Sequence, residues 1–258
     1  MFFITDLSIE HNSKQQITRS QFLDIKAAIA TIKDFANMID YYSLIDYNVQ
    51  LFLEKENIIQ TREYRNFVIL NGLFANWLNG YYMWKCNMQH MMGEDYKNKQ
   101  QQYNEQYIEY KLAGEIRNYI THQSFAISTI TYDIINERTY YYIKAEDLLA
   151  DKKEMCARSK EWLKKDEHQK IDSMQLTRSF YRIFRMIEKE LMEKILKKVH
   201  EKMEIITNCI PRDFRNYYNV YVQSENESIA MMVIPITLSK LSEIKSLFEQ
   251  EGSTNDQL

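Results

Sequence analysis

The stretch TRSQFLDIKAAIATIKDFANMI at residues 18–39 decides the fold class, because its apolar residues recur every three to four positions. This spacing predicts an amphipathic helix that buries one stripe of side chains and leaves the opposite face to solvent. We expect the helix to run from about Thr18 to about Glu56. The apolar stripe is formed by Phe22, Ile25, Ile29, Ile32, Phe35, Ala36 and Ile39.

The same periodicity predicts further helices along the chain. They run from about Glu63 to Met92, from about Asp95 to His122, over residues 145–165 and over residues 171–206. Only five Gly and two Pro occur in the whole chain. Because these are the residues that most disfavour helices, long helices can form with few interruptions until Pro211.

Two segments depart from the helical period and predict β-structure. Residues 127–143 alternate in polarity and are rich in β-branched and aromatic side chains, which is typical of a hairpin. A second strand pair is expected at residues 217–223 and 229–236, followed by a short helix over residues 238–249. Within the first segment, Tyr140-Tyr141-Tyr142 is either a strand with alternating burial or a platform for base stacking.

The fold expected from these elements is mainly α: an up-and-down helical bundle with small antiparallel β hairpin elements. We expect a single helical domain over residues 1–258, with β appendages at 125–144 and 216–236. The aromatic residues of the second helix, Trp77, Tyr81, Tyr82 and Trp84, indicate a thick aromatic core.

Composition excludes several classes of protein. Hydrophobic residues make up 45% and charged residues 27% of the chain, which is typical of a globular protein and not of a disordered one. No window approaches the roughly 18 uncharged apolar residues that a membrane span needs. Cys86, Cys156 and Cys209 lie far apart and predict reduced thiols, not disulfides or a zinc site. We therefore expect a cytoplasmic protein that does not enter the membrane.

The charge distribution leaves two interpretations open. Basic residues concentrate in residues 152–165 and 178–202, interleaved with acidic ones. This pattern indicates either solvated helix faces or a strip that binds RNA. The formal net charge of −3 argues against a general electrostatic attraction to nucleic acid.

One short segment, RNYITH at residues 117–122, carries a suggestive chemical group. At about 100° per residue, Arg117 and Asn118 fall opposite the apolar stripe of their helix, and His122 lies at its margin. Asn118 and His122 are four residues apart and can touch. The group could bind a phosphate. The alternative is structural: Arg117 would be solvated or paired with Glu115, and His122 would interact with the helix dipole.

The stretch EIRNYITH at residues 115–122 resembles the R-x4-6-H motif of the HEPN superfamily, in which Asn, Asp or His characteristically follows the Arg. Asn118 matches that preference. The motif also lies late on a bundle helix, after two earlier long helices. The order of the later elements is similar to that of uncharacterised bacterial proteins with an RNYxxH segment.

The resemblance implies an activity. Many HEPN proteins are metal-independent ribonucleases that dimerise so that two motifs face each other. His122 would act as a general acid or base, since imidazole exchanges protons near neutral pH. Arg117 would bind the phosphate and stabilise its charge, and Asn118 would orient His122 or bind a substrate oxygen. No cofactor and no metal is implied.

The resemblance also implies partners: an RNA substrate, a second copy of the chain in a homodimer, and an antitoxin or sensor protein. The biological role would lie in a bacterial toxin–antitoxin or anti-phage defence system. Two alternatives remain open. One is a non-catalytic HEPN-like module that binds RNA, a nucleotide or a protein. The other is a helical interaction or scaffold protein in which the match is accidental.

Overall fold

A computed structural model describes residues 1–8, 11–55, 64–150, 155–210 and 217–242. The chain divides into two compact units. The central unit comprises residues 41–187, and the terminal unit combines residues 1–40 with the chain from residue 188 onward. The RNYITH segment belongs to the central unit.

The fold is mainly α with small antiparallel sheets, as the sequence predicts. The helices are α1 (Arg19–Glu54), α2 (Tyr64–Met92), α3 (Glu94–Gln106), α4 (Ile108–His122), α5 (Ala145–Leu149), α6 (Ala157–Leu163) and α7 (Ser173–Cys209). The strands are β1 (Phe2–Ser8), β2 (His11–Ile17), β3 (Ile127–Asp133), β4 (Arg138–Lys144), β5 (Lys170–Asp172), β6 (Val220–Gln223) and β7 (Ser228–Ala230). Short 3-10 turns occur at Asp166–His168 and Tyr217–Asn219, and residues 233–242 are helical.

An aromatic cluster forms the core of the central unit. The ring centroids of Trp77 and Tyr81, both on α2, lie 4.7 and 4.8 Å from that of Phe180 on α7. Trp84 packs edge-on against Phe184 at 4.8 Å. Burial of each ring contributes about 2–3 kcal/mol, and edge-to-face geometry adds to it. The expected aromatic core is therefore present, but the fourth member of the predicted set, Tyr82, is 38% exposed.

The helix expected from Asp95 to His122 is interrupted. The backbone of Tyr107 is extended (φ −119°, ψ 113°), so α3 ends at Gln106 and α4 begins at Ile108. Arg158 of α6 stabilises this break by donating to the carbonyls of Asn104 and Glu105, which lie in the last turn of α3. The break makes α4 an independent helix that carries Arg117, Asn118 and His122.

A three-stranded antiparallel sheet in the order β3–β4–β5 lies in the central unit. The hairpin expected at residues 125–144 is present as β3 and β4. Asn71 of α2 anchors its start, since its amide group donates to the carbonyl of Ile127 (3.0 Å) and accepts from the Ile127 N–H (2.9 Å). The helix expected over residues 145–165 is instead two short helices, and residues 151–154 between them lie outside the described part of the chain.

The terminal unit holds a second antiparallel sheet, in the order β2–β1–β6–β7. Strands β1 and β2 are not predicted by the sequence reasoning; in β2, residues 11–16 are uniformly polar and give no alternation. The strand expected over residues 229–236 was too long: β7 ends at Ala230 and residues 233–242 are helical. Met231 and Ile234 are buried three positions apart, a spacing that suits a helix. The remainder of the helix expected over 238–249 lies beyond the described residues.

Across the described ranges, no helix combines the length and the apolar character that a bilayer crossing requires.

Candidate functional site

Helix α4 presents the three predicted site residues at different degrees of exposure. Its apolar stripe is buried, with Leu112 and Ile116 fully inaccessible. Arg117 is half-buried, whereas Asn118 and His122 are exposed. The predicted orientation is therefore confirmed for the apolar stripe, Asn118 and His122, whereas Arg117 is more buried than the sequence predicts.

The guanidinium of Arg117 has a defined position. Its central carbon lies 3.9 Å above the centroid of the Tyr82 ring on α2, a geometry in which the cation is attracted to the ring face. Nη1 lies 3.4 Å from Oδ1 of Asn118, to which it donates. The Nε atom is buried and has no hydrogen-bond partner within the described ranges. The Tyr82 ring and Asn118 thus hold the guanidinium in place.

A cavity of about 140 Å³ opens beside Arg117 and has room for several waters or a phosphate-sized anion. We call it the cationic cavity, because three of its lining side chains are cationic and one is a carboxylate. Its cations are Lys85 on α2 and Lys111 and Arg117 on α4. The lining residues are Tyr81, Tyr82, Lys85, Gln100, Asn104, Tyr110, Lys111, Gly114, Glu115, Arg117 and Asn118.

The electrostatics of the cationic cavity favour an anion. Burial lowers the pKa of Lys85, and repulsion from the Lys111 ammonium lowers it further. An anion that binds beside Lys85 stabilises the protonated form of its side chain, so the binding of a negatively charged ligand is favoured. The cavity therefore suits a phosphate better than a neutral or cationic ligand.

Glu115 does not neutralise Arg117. Its Oε1 accepts from the backbone N–H of Cys156 at 3.1 Å and lies 4.0 Å from Nζ of Lys111. In the part of the chain that the structure describes, Arg117 forms no ion pair with a carboxylate. The structural interpretation that pairs Arg117 with Glu115 is therefore wrong.

His122 lies in the last turn of α4, which ends where the sequence predicts. It is exposed and is not among the residues that line the cationic cavity. A separation of five residues along a helix places it roughly 7.5 Å further along the axis than Arg117. Thr121, between them, donates its hydroxyl to the Arg117 carbonyl at 2.9 Å. The structure thus places Arg117 and Asn118 together at the cationic cavity, whereas His122 lies outside it, exposed at the C-terminal end of α4.

Sequence reasoning missed the contributions of Tyr82, Lys85 and Lys111 to the site. A weak signal existed in the sequence, since Tyr82 and Lys85 are three apart and share a face of α2. That this face meets α4 is a tertiary feature. No group of three His, Cys, Asp or Glu side chains that could hold a metal occurs among the described residues.

Comparisons of the chain with protein-family models, curated proteins and solved structures found no match. Membership of the HEPN superfamily therefore stays a prediction. It rests on residues 115–122 and on the order of the elements around them.

Proposed function

We propose that this protein is a metal-independent endoribonuclease of the HEPN type, in which Arg117 binds the scissile phosphate and His122 transfers protons. The observation that carries the proposal is the convergence of Lys85, Lys111 and Arg117 with Asn118 in the cationic cavity. These side chains offer the positive charge and the donors that a phosphodiester requires.

The chemistry follows from the side chains. A ribose 2′-hydroxyl attacks the adjacent phosphorus while a neutral imidazole takes its proton, and the bond to the 5′-oxygen breaks as that oxygen gains a proton. Arg117 stabilises the charge that develops on the phosphate oxygens. The products are a 2′,3′-cyclic phosphate and a 5′-hydroxyl, with no net loss of atoms or protons.

A homodimer would complete this site. One imidazole cannot be base and acid in the same step, so a second copy of His122 would protonate the leaving oxygen while the first accepts the proton. The exposure of His122 at the end of α4 is compatible with such an approach. We place the activity in the cytoplasm of a bacterium, in a toxin–antitoxin or anti-phage role, with an antitoxin or sensor protein as a further partner.

A second candidate is a non-catalytic module that binds RNA or a nucleotide through phosphate. It is favoured by one observation: Arg117 and Asn118 line the cationic cavity, whereas His122 does not. In that case, His122→Ala would leave RNA binding unchanged and no cleavage would exist to lose.

The test is cleavage of total cellular RNA by the purified full-length protein in EDTA. We compare wild type with His122→Ala and Arg117→Ala. Matched controls are His90→Ala and Arg182→Ala, which alter exposed residues of the central unit that line neither the cationic cavity nor the end of α4. Cleavage by wild type and both controls, lost in both site variants, supports the proposal. Absence of cleavage with retained RNA binding supports the binding module, and equal cleavage by all forms contradicts both residue assignments.

A further inference from the structure

A second concave site, which we call the aromatic groove, lies in the central unit and shares no lining residue with the cationic cavity. Its volume is about 510 Å³. Four of its side chains are aromatic or imidazole rings, from β4, α6 and the 3-10 turn that precedes β5. The lining residues are Glu109, Tyr140, Tyr142, Trp162, Glu167, His168, Lys170, Ile171, Asp172, Gln175, Leu176 and Ser179.

Strand alternation builds one wall of the groove. Thr139, Tyr141 and Ile143 point into the core and are at most 6% exposed. Tyr140 and Tyr142 therefore point to the opposite face, where their rings stand parallel, 5.8 Å apart with an interplanar angle of 7°. The interpretation of this segment as a strand with alternating burial is therefore confirmed, whereas the base-stacking platform stays an untested prediction.

Trp162 and His168 build the other wall. Their rings are stacked with centroids 3.6 Å apart and 14° between planes. Nε2 of His168 also lies 3.2 Å from a carboxylate oxygen of Glu167. The imidazole is therefore held from two sides, and it supports the indole as a rigid surface.

The charge of the groove is opposite to that of the cationic cavity. Three carboxylates line it, from Glu109, Glu167 and Asp172, against one ammonium, from Lys170. Asp172 already accepts from two backbone N–H groups, so Glu109 and Glu167 are the carboxylates open to a ligand. Lys170 lies 6.0 Å from the centroid of the Tyr142 ring, and the guanidinium of Arg138 lies 5.2 Å from that of Tyr140, so these rings already attract cations. Burial raises the pKa of Tyr142, and the Asp172 carboxylate raises it further, while Arg138 acts in the opposite direction. A phosphate-bearing ligand would be repelled here. A cation would be attracted both by the carboxylates and by the faces of the rings.

We propose that the aromatic groove binds an arginine side chain presented by a peptide or protein, its guanidinium stacked on the rings and paired with Glu109 or Glu167. Guanidinium is planar, weakly hydrated and a forked donor, so it matches rings and carboxylates together better than an ammonium does. Free arginine has the same net charge as a capped arginine peptide but lacks the flanking peptide groups, so it serves as the control for a ligand that is not part of a chain. This inference does not depend on the ribonuclease proposal.

The experiment is calorimetric titration of the full-length protein with acetyl-Gly-Arg-Gly-amide. The matched probe replaces arginine by citrulline, which keeps the shape and loses the charge. We expect the arginine peptide to bind with a Kd of about 1 mM or tighter and the citrulline peptide and free arginine to bind at least about fivefold more weakly. Acrylamide quenching gives a second readout, because Trp77 and Trp84 are fully buried and Trp162 is the accessible indole.

Two isosteric variants test the groove without removing its packing. Glu109→Gln and Glu167→Gln should each lower the affinity for the arginine peptide about two- to fivefold. Glu161→Gln, an exposed carboxylate of α6 outside the groove, should leave it unchanged. Equal binding of arginine and citrulline peptides, or tighter binding of free arginine or of a mononucleotide, would overturn the proposal. So would the absence of binding at millimolar peptide, or undiminished binding in both groove variants.

Discussion

The cationic cavity and the aromatic groove lie in the same unit and both contain tyrosine, yet they have opposite charge. The cavity sets three cations against one carboxylate, and the groove sets three carboxylates against one cation. Aromatic content alone would assign both to nucleobases. The balance of charge separates them, because a phosphate and a guanidinium respond to it in opposite directions.

The largest expected effect is on RNA cleavage, and it distinguishes catalysis from RNA binding at the cationic cavity. His122→Ala should lower the rate of RNA cleavage by about 10²–10⁴, the usual contribution of a general acid or base. Its affinity for a 2′-O-methyl RNA, which cannot be cleaved, should change less than about twofold because His122 is outside the cavity. Quenched time-course assays measure the cleavage rate, and fluorescence anisotropy measures the affinity. An equal loss of cleavage and affinity would show instead that His122 binds RNA.

Arg117→Lys tests whether the cavity recognises phosphate by geometry as well as by charge. Lysine keeps the charge but loses the forked donors and the stacking on Tyr82. We expect affinity for 2′-O-methyl RNA to fall about tenfold, with arginine-peptide binding in the aromatic groove unaffected. Arg182→Lys is the matched control. Full retention of RNA affinity would mean that the side chain at position 117 recognises the phosphate by its charge alone.

Lys85 should couple anion binding to pH. Its lowered pKa means that the folded chain holds this proton less tightly than the unfolded chain does. Protonated Lys85 therefore lowers the free energy of unfolding. This loss of stability is complete below the lowered pKa and disappears as the pH rises from there towards the ordinary value of about 10.4. Over the same range the cavity loses a positive charge, so affinity for 2′-O-methyl RNA should fall.

Lys85→Met checks both consequences at neutral pH. Removal of a half-buried ammonium should raise the free energy of unfolding. The lost charge should lower the affinity for 2′-O-methyl RNA about three- to tenfold. Urea unfolding and anisotropy measure the pair of effects, with Lys164→Met on the surface as control. Stability and affinity changing in the same direction would contradict the assignment of Lys85 to an anion site.

The smallest expected effect concerns Tyr82. Tyr82→Leu keeps apolar contact with Arg117 but removes the ring face, which at a partly exposed site contributes about 0.5–1 kcal/mol. Cleavage and affinity for 2′-O-methyl RNA should both fall about two- to fivefold. Tyr47→Leu, at an exposed tyrosine of α1, provides the comparison. A decrease of a hundredfold would mean that Tyr82 contacts the substrate directly.

The sequence predicts these two sites to different depths. Helical periodicity places Arg117 and Asn118 on the outer face of their helix and ends it near His122, because the pattern is local. Strand alternation likewise separates Tyr141 from Tyr140 and Tyr142. The contacts that complete each site come from residues distant in sequence, such as Lys85 at the cavity and Trp162 at the groove. Periodicity contains no information on such pairings.

Two features of the fold also escape local reasoning. The break at Tyr107 lies in a segment without Gly or Pro, and it is stabilised by Arg158, about fifty residues away. Strand β2 is polar from residue 11 to residue 16, so only its pairing with β1 reveals it. In both cases a tertiary contact overrides a local preference.

The most direct test of the central claim is the chemistry of the cut ends. A defined RNA oligonucleotide and the DNA of the same sequence are incubated with wild-type protein in EDTA, and the products are weighed by mass spectrometry. The account predicts RNA fragments that end in a 2′,3′-cyclic phosphate and a 5′-hydroxyl, none of them from His122→Ala, and intact DNA. Cleavage of the DNA, fragments with 5′-phosphates, or unchanged products from His122→Ala would contradict it.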